Sequence, residues 1–430
     1  MDGRIAEQVA GVGFKQLTIV DCIGEGRSNQ HELNTSAAMR SFLGGERCVF
    51  PCTYVRFDGA FADGAYESED LTATYYDARE RQPNRSPEFR LVYPASSVVM
   101  QAAREGDWCW VLRREAEDRL LVVVAEGGAP VALQLDRLIG TNLRSAEDST
   151  GQRTFALGDL GQASDRDLSV EDADLLTVLG LSIEVRNAAA LDRVIERFGS
   201  RGTMPTTQEF AAFTRRLCDT SSAVDNPDLA LNDWYAFSTE MFFGFEKHVL
   251  QPVLDQAFVG KSAIDIDTFF DLAKKHMNSR YSRAGYTFEH HLAAVFEAHG
   301  LVFARMTKRL PDGSKPDFLF PGSGAYGDAD VPDGLLTFLG AKTTTKERWM
   351  QVVAEAPRIR VRHLATMDRE LNAEILNAMA HNDVVPVVPE PVMNECYDSS
   401  LVGEMMTVQA FIGQTLDRQR ELEGSGIALR

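Results

Sequence analysis

The chain has no hydrophobic stretch long enough to span a bilayer, which argues against a membrane-spanning helix. Nor does Met1-Asp2-Gly3-Arg4 lead into a signal-peptide core, so a cytoplasmic protein without a membrane partner is expected. Cysteine is scarce. The six that occur (Cys22, Cys48, Cys52, Cys109, Cys218 and Cys396) include no CxxC pair, which argues against a disulfide framework or a zinc finger. No repeat or low-complexity tract is present. Basic residues are outnumbered, 44 Lys and Arg against 63 Asp and Glu, for a formal net charge of −19. That balance excludes a uniformly basic surface of the kind that holds nucleic acid without regard to sequence. It leaves room for a local cleft of opposite sign, and basic residues do cluster at Lys274-Lys275-His276, Arg280, Arg283, Lys308-Arg309, Arg358, Arg360 and Arg362-His363. His290, His291 and His299 lack the cysteine partners or the His-x-x-x-His spacing of a metal site and read as helix-face or core histidines.

At 430 residues the chain is long enough for two domains, each with its own core. The front is rich in strand signals: Phe14 to Val20, Cys48 to Phe57, Leu71 to Tyr76, Phe89 to Tyr93, Trp108 to Leu112 and Leu120 to Val124, punctuated by Gly, Asp, Asn and Pro. That pattern suits a barrel or sandwich. A polar, acidic stretch from Asp148 to Asp174 marks the exit. Helical periodicity takes over from Leu191 to Phe198 and from Gln208 to Leu217. The expected division is a mostly-β domain over 1–165, a helical and polar linker over 166–203, and an α/β domain over 204–430.

The chemistry is concentrated in the α/β part. Pro316-Asp317 precedes the apolar run Phe318-Leu319-Phe320, so Asp317 should stand where a strand begins. Leu335 to Leu339 is a second short apolar run and reads as a buried strand ending at Lys342. Adjacent strands would bring Asp317 and Lys342 together at one sheet edge. A carboxylate that can hold Mg²⁺, beside a cation that can stabilise developing negative charge, is what phosphodiester cleavage needs. The acid usually found two positions before such a lysine is missing, because that position is Gly340. Residues from Thr345 onward read as a helix with Trp349, Val352, Val353 and Ala356 on one stripe, and Glu355 on that helix can reach back toward the strand end. Taken singly, Glu289 reads as a first-turn acid favoured by the helix dipole and Asp317 as a turn residue.

The displaced acid gives the chain its family resemblance. It resembles the EcoRII-type restriction endonucleases of the PD-(D/E)xK superfamily. The resemblance rests on Ser282-Arg283-Ala284-Gly285, Phe288-Glu289-His290-His291-Leu292, Lys315-Pro316-Asp317-Phe318-Leu319-Phe320-Pro321, Gly324-Ala325-Tyr326, and Lys342-Thr343-Thr344 followed by Lys346-Glu347-Arg348-Trp349, in that order and at fitting intervals. The resemblance implies a restriction-endonuclease-like catalytic domain with Glu289, Asp317, Lys342 and Glu355 as the catalytic group and Tyr326 near it. It also implies Mg²⁺ held by Asp317 and Glu355, and bases read by Lys346, Glu347 and Arg348. Basic, acidic and basic side chains in succession can donate to guanine and accept from cytosine.

More faintly, Gln30-His31-Glu32-Leu33, Tyr75-Tyr76-Asp77-Ala78-Arg79 and Asn84-Arg85-Ser86-Pro87-Glu88-Phe89-Arg90 resemble the amino-terminal domain of the same family. That resemblance implies a β-pseudobarrel that binds an effector copy of the target, with His31, Arg79, Arg85, Glu88 and Arg90 as DNA contacts. The family resemblance as a whole implies a CCWGG-like site with CC and GG half-sites, double-stranded DNA as target and effector, a homodimer, and a bacterial cytoplasmic setting. A companion DNA methyltransferase and a role in phage defence follow from the same resemblance. The family extrudes central bases with an arginine and an aromatic residue four positions later. Asn232-Asp233-Trp234-Tyr235-Ala236-Phe237 offers Trp234 or Tyr235 as the wedge but no arginine. The alternatives are a nuclease directed at modified DNA and a catalytically silent DNA-binding regulator.

Overall fold

A computed structural model describes residues 5, 7–23, 31–59, 66–82, 84–141, 143, 154–160, 168–183, 185–259, 265–305, 309–310, 312–345, 348–427 and 429. The chain forms two compact units, Met1–Arg186 and Asn187–Arg430.

The first unit is built on one eight-stranded sheet: β1 (Val9–Gln16), β2 (Glu32–Asn34), β3 (Cys48–Phe57), β4 (Tyr66–Asp77), β5 (Phe89–Val92), β6 (Trp108–Arg114), β7 (Arg119–Ala125) and β8 (Ala156–Leu157). The strand order is β2-β5-β4-β3-β7-β6-β1-β8, antiparallel except where β3 runs parallel to β7. Successive side chains on a strand point to opposite faces, and here both faces are covered. Trp110, Leu112, Leu121 and Val123 enter one core, and Cys109, Val111, Leu120 and Val122 the other. Burial on both sides is why β6 and β7 read as continuous apolar runs rather than alternating ones.

The expected strand at Phe14 to Val20 is displaced toward the amino terminus. The run Leu17-Thr18-Ile19-Val20 turns instead, with the Asp21 carboxylate accepting from the Thr18 N–H at 2.9 Å and Val20 exposed. The real strand, β1, is disguised by two glycines. A Cβ on Gly11 would lie 2.5 Å from the Phe42 ring, and one on Gly13 would lie 2.6 Å from Met39 Cε. Only glycine lets the segment after β2 lie on β1, which draws the two ends of the sheet toward each other.

Within the span expected as a linker, the two parts have different allegiances. Helix Val170–Val178 sends Leu175 and Leu176 into the core beneath helix Pro130–Ile139, and its buried Asp172 pairs with Arg137 and accepts from Gln134 Nε2 at 2.9 Å. Helix Ala188–Phe198 packs in the second unit, where Phe198 meets Phe210 and Phe245 at 6.2 and 6.3 Å between ring centroids.

The second unit surrounds a four-stranded sheet of β9 (Phe318–Phe320), β10 (Thr337–Lys342), β11 (Arg362–Thr366) and β12 (Val384–Val387), in the order β12-β11-β10-β9. β9 is antiparallel to β10 and the other pairs are parallel. Long helices Pro227–Phe258 and Ile266–Ala298 and the later helix Val408–Gly424 accompany it. Phe296 anchors the core, edge-on to Phe318 and Phe320 at 5.4 Å each, and Phe320 meets Phe411 at 5.7 Å. Buried Asp228 ties helices together: its carboxylate accepts from the N–H groups of Val408, Gln409 and Glu390 at 2.8, 2.9 and 3.1 Å, where two helices begin.

Candidate active site

Antiparallel pairing of Phe318 with Leu339 and Leu319 with Phe338 sets the start of β9 beside the end of β10. Asp317, one residue before β9, therefore faces the last residues of β10. Its Oδ2 accepts from the Ala341 N–H at 2.8 Å and from the Lys342 ammonium at 2.9 Å. Both donors converge on one carboxylate oxygen and fix its direction.

The missing acid has a steric explanation. A Cβ on Gly340 would stand 2.9 Å from Val352 Cγ2, so the helix Trp349–Val353 occupies the space a side chain there would need. Glu355 comes from the same segment, though not from the helix itself as the stripe suggested. The helix ends at Val353, Ala356 takes a φ of 49°, and Glu355 sits in the turn between them. Pro357 disfavours helical geometry in the residue before it, which ends the element early. Trp349, Val352 and Ala356 are buried as the stripe predicted. Burial and the nearby Asp317 charge push the half-buried Glu355 carboxyl up to about 7, against the opposing pull of Lys342, Arg309 and Lys315.

A cleft of about 720 Å³ is lined by Tyr281, Tyr286, Glu289, His290, Arg305, Lys315, Asp317, Lys342 and Arg348, among others. Glu289 reaches it from well inside the 33-residue helix Ile266–Ala298, so the first-turn reading is corrected: it stands far beyond the first turn of that helix. The amino-terminal half of that helix is largely exposed and carries no core-facing signal, which hid its true start. Glu289 pairs with Arg305 at 2.7 Å, yet burial, joined by the Asp317 charge, still raises its carboxyl above the ordinary range. Arg305 also donates to His290 Nδ1 at 2.9 Å. Burial and the neighbouring Arg305 and Arg215 push the His290 imidazole down to about 4, so it is neutral near pH 7.

Arg305 escaped the sequence reading, as did Lys315 as a cleft residue. The available signal was the apolar run Leu301 to Ala304 after Gly300. Ala304 pairs with Leu319 beside β9, which delivers Arg305 to the cleft.

Other expected residues lie elsewhere. The Tyr326 hydroxyl donates to Asp312 at 2.6 Å and lines a separate cleft of about 560 Å³ with Asp333 and Arg358. Arg358 is engaged structurally, donating to the Val331 and Asp328 carbonyls and to Asp333. His291 is a core histidine, fully buried and held between Ser238 Oγ at 2.9 Å and Arg215 at 3.1 Å. Tyr235 is buried against Phe288, whereas Trp234 keeps exposed surface and lies under the Arg215 guanidinium, 5.7 Å from its ring centre. Lys346, Glu347 and Lys308 fall outside the described residues.

In the first unit, Arg79, Glu88, Arg90 and Glu32 form one ion-pair chain at the β2-β5-β4 edge. Glu88 joins the two arginines and Arg90 also pairs with Glu32. His31 precedes β2 with its ring edge-on to Tyr93 at 6.0 Å, and Arg85 is exposed.

Among the described residues no three acidic, histidine or cysteine side chains converge on one metal position. The donor set nevertheless suits Mg²⁺. That ion keeps several waters and takes one or two carboxylates plus substrate phosphate. Burial does most to raise the Glu355 carboxyl, and the Asp317 charge adds a like-charge repulsion that a divalent cation would relieve.

Residues 242–412 match the family model described as EcoRII C terminal. The chain is 36% identical over 192 residues to the type II restriction enzyme EcoRII of Escherichia coli, covering 44% of this chain and 45% of that one. It is 24% identical over 242 residues to the type II restriction enzyme SsoII of Shigella sonnei, covering 49% of this chain and 78% of the relative. The match thus spans less than half the length of the E. coli enzyme. Among solved structures, metal-depleted Ecl18kI in complex with uncleaved DNA aligns with a TM-score of 0.44 at 21% identity, over 54% of this chain and 85% of that one. A complex of the restriction endonuclease PspGI with substrate DNA aligns with a TM-score of 0.40 at 16% identity, over 51% and 94%.

Proposed function

We propose, from a second unit that resembles the EcoRII-type restriction endonucleases, that the chain is a type II restriction endonuclease hydrolysing both strands of DNA at a specific site with Mg²⁺. The observation that carries this reading is the Asp317 carboxylate clamped by Ala341 and Lys342 at the mouth of a cleft, with Glu355 close enough to feel its charge. Asp317 and Glu355 would hold the metal, which when bound supplies Lewis-acid polarisation of the phosphate and a more acidic water. Lys342 and the Ala341 N–H both engage Oδ2, and the other oxygen of Asp317 would remain available to a cation. The Lys342 ammonium, fixed 2.9 Å from that carboxylate, would orient the attacking water and balance charge growing on the phosphate. Arg305 would position Glu289 and keep His290 neutral in the cleft wall.

Arg348 lines the same cleft and would read guanine in a site with CC and GG half-sites, together with Lys346 and Glu347. Arg215, which stands over Trp234 from the neighbouring helix, would substitute for the arginine missing from the wedge segment. That pair would extrude and stack a central base, with Trp234 rather than core-bound Tyr235 as the wedge. The first unit would be a pseudobarrel that binds effector DNA through the β2-β5-β4 edge and restrains the nuclease until it does so. The enzyme would act as a homodimer on double-stranded DNA in a bacterial cytoplasm, beside a companion methyltransferase in a phage-defence system. Plasmid cleavage with Mg²⁺, with EDTA, and with Asp317→Ala tests the core of the proposal. Metal-dependent cutting that Asp317→Ala abolishes supports it, and metal-independent cutting or an active variant refutes it.

A further inference from the structure

We infer that the outer half of the hairpin formed by the two long helices is the surface on which two copies of this chain pair. The buried residues of helix Ile266–Ala298 begin only at Ala284, and those of helix Pro227–Phe258 end at Glu246. Beyond those points the helices accompany each other away from the core. Phe258 and Phe269 meet between them, ring centroids 6.1 Å apart, with Phe269 still 48% exposed. Beside that internal contact runs a second apolar line. Ile266, Phe270 and Met277 are 66, 63 and 47% exposed, and with Ala273 they recur at spacings of four, three and four residues. That is the seam spacing of a helix that packs against another helix. An exposed line of this kind marks an association surface.

Charge chooses the occupant. Asp267 and Lys274 lie seven residues apart, at the same flanking position beside the seam. Consider an antiparallel pairing of two copies about a two-fold axis between residues 271 and 272. Ile266 then meets Met277 of the second copy, Phe270 meets Ala273, and Asp267 comes beside Lys274 of the second copy, each contact occurring twice. In a parallel pairing the two flanking charges of one copy would lie on the opposite side of the seam from those of the other, and neither would find its opposite. The surface is therefore self-complementary in shape and charge, as an isologous contact requires. Pairing here deepens the dimer of the proposed nuclease and gives it a location.

The test uses the full chain without DNA or metal, with molecular mass read by sedimentation at micromolar concentration. Asp267→Lys and Lys274→Asp each turn two attractive contacts into two repulsive ones and should weaken pairing about tenfold or more, and Phe270→Asp should do the same. An equimolar mixture of the Asp267→Lys and Lys274→Asp chains should recover the dimer, because every flanking contact is again between opposite charges. All three positions are exposed, so circular dichroism should be unchanged. A monomeric parent chain, charge variants that pair as well as the parent, or a mixture that stays monomeric would each overturn the inference. A chain that pairs this way yet never cuts DNA would refute the nuclease reading alone. A chain that cuts DNA while all its variants stay dimeric would refute this surface alone.

Discussion

Glu355→Gln should make the metal-free protein more stable while removing its activity. In the folded chain the Glu355 carboxyl is raised from 4.5 to about 7, first by burial and then by the Asp317 charge. The folded state therefore holds this proton more tightly than the unfolded state. Its contribution to stability is fully present below pH 4.5, declines as pH rises, and is lost once pH passes about 7. At about 1.4 kcal/mol per pH unit the full penalty would be about 3.5 kcal/mol, and solvent screening of a half-buried side chain reduces it to about 1–2 kcal/mol. Glutamine keeps the shape and cannot ionise. In EDTA at about pH 8.5 the variant should melt roughly 2–8 °C above the parent, and near pH 4.5 the two should nearly coincide. Added Mg²⁺ should raise the melting temperature of the parent at the higher pH and leave the variant unmoved. Equal melting temperatures at pH 8.5 in EDTA, or a less stable variant, would refute the claim that Glu355 is held against its ionisation.

Asp317→Ala and Lys342→Ala should each abolish cleavage while leaving specific DNA binding, read by gel shift in Ca²⁺, largely intact. Arg348→Ala should lose about 1–3 kcal/mol of discrimination at one base pair, whereas equal weakening on cognate and non-cognate duplexes would assign it to the phosphate backbone. Asp228→Ala should cost about 2–4 kcal/mol in denaturant unfolding, because three buried N–H groups lose their acceptor. A fragment of Asn187–Arg430 should fold and cut a one-site plasmid faster than the full chain. Equal rates would leave the first unit as a tethering or specificity module.

How much of this was legible follows from how local each signal is. Asp317 and Lys342 could be paired on paper because a strand start and a strand end were both marked by short apolar runs, and antiparallel neighbours join such ends. Glu355 was legible as a carboxylate near Asp317 and Lys342, but its place in a turn depended on Pro357 and the positive φ of Ala356, which outweighed the apolar stripe. Glu289 was misplaced on its helix because solvent-facing turns before it show no core periodicity. Arg305 was invisible because its role depends on Ala304 pairing with a strand that lies later in the chain. β1 was hidden by Gly11 and Gly13, whose value lies in what they leave out. The linker expected over 166–203 read as one polar, helical connector, and its two halves bury their apolar residues in separate cores. A fragment beginning near Gly202 would discard Phe198 from beneath Phe210 and Phe245, which is why Asn187 is the better starting point.

The central claim is that this chain cuts double-stranded DNA at one sequence using Mg²⁺. Its most direct test is digestion of a defined, unmethylated bacterial genome by the full chain with Mg²⁺ and added cognate-type duplex, followed by sequencing of the ends, with Asp317→Ala as the parallel control. The account predicts ends gathered at one short site with CC and GG half-sites, and intact DNA with the variant. Ends scattered without a common sequence, or the same ends produced by the variant, would contradict it.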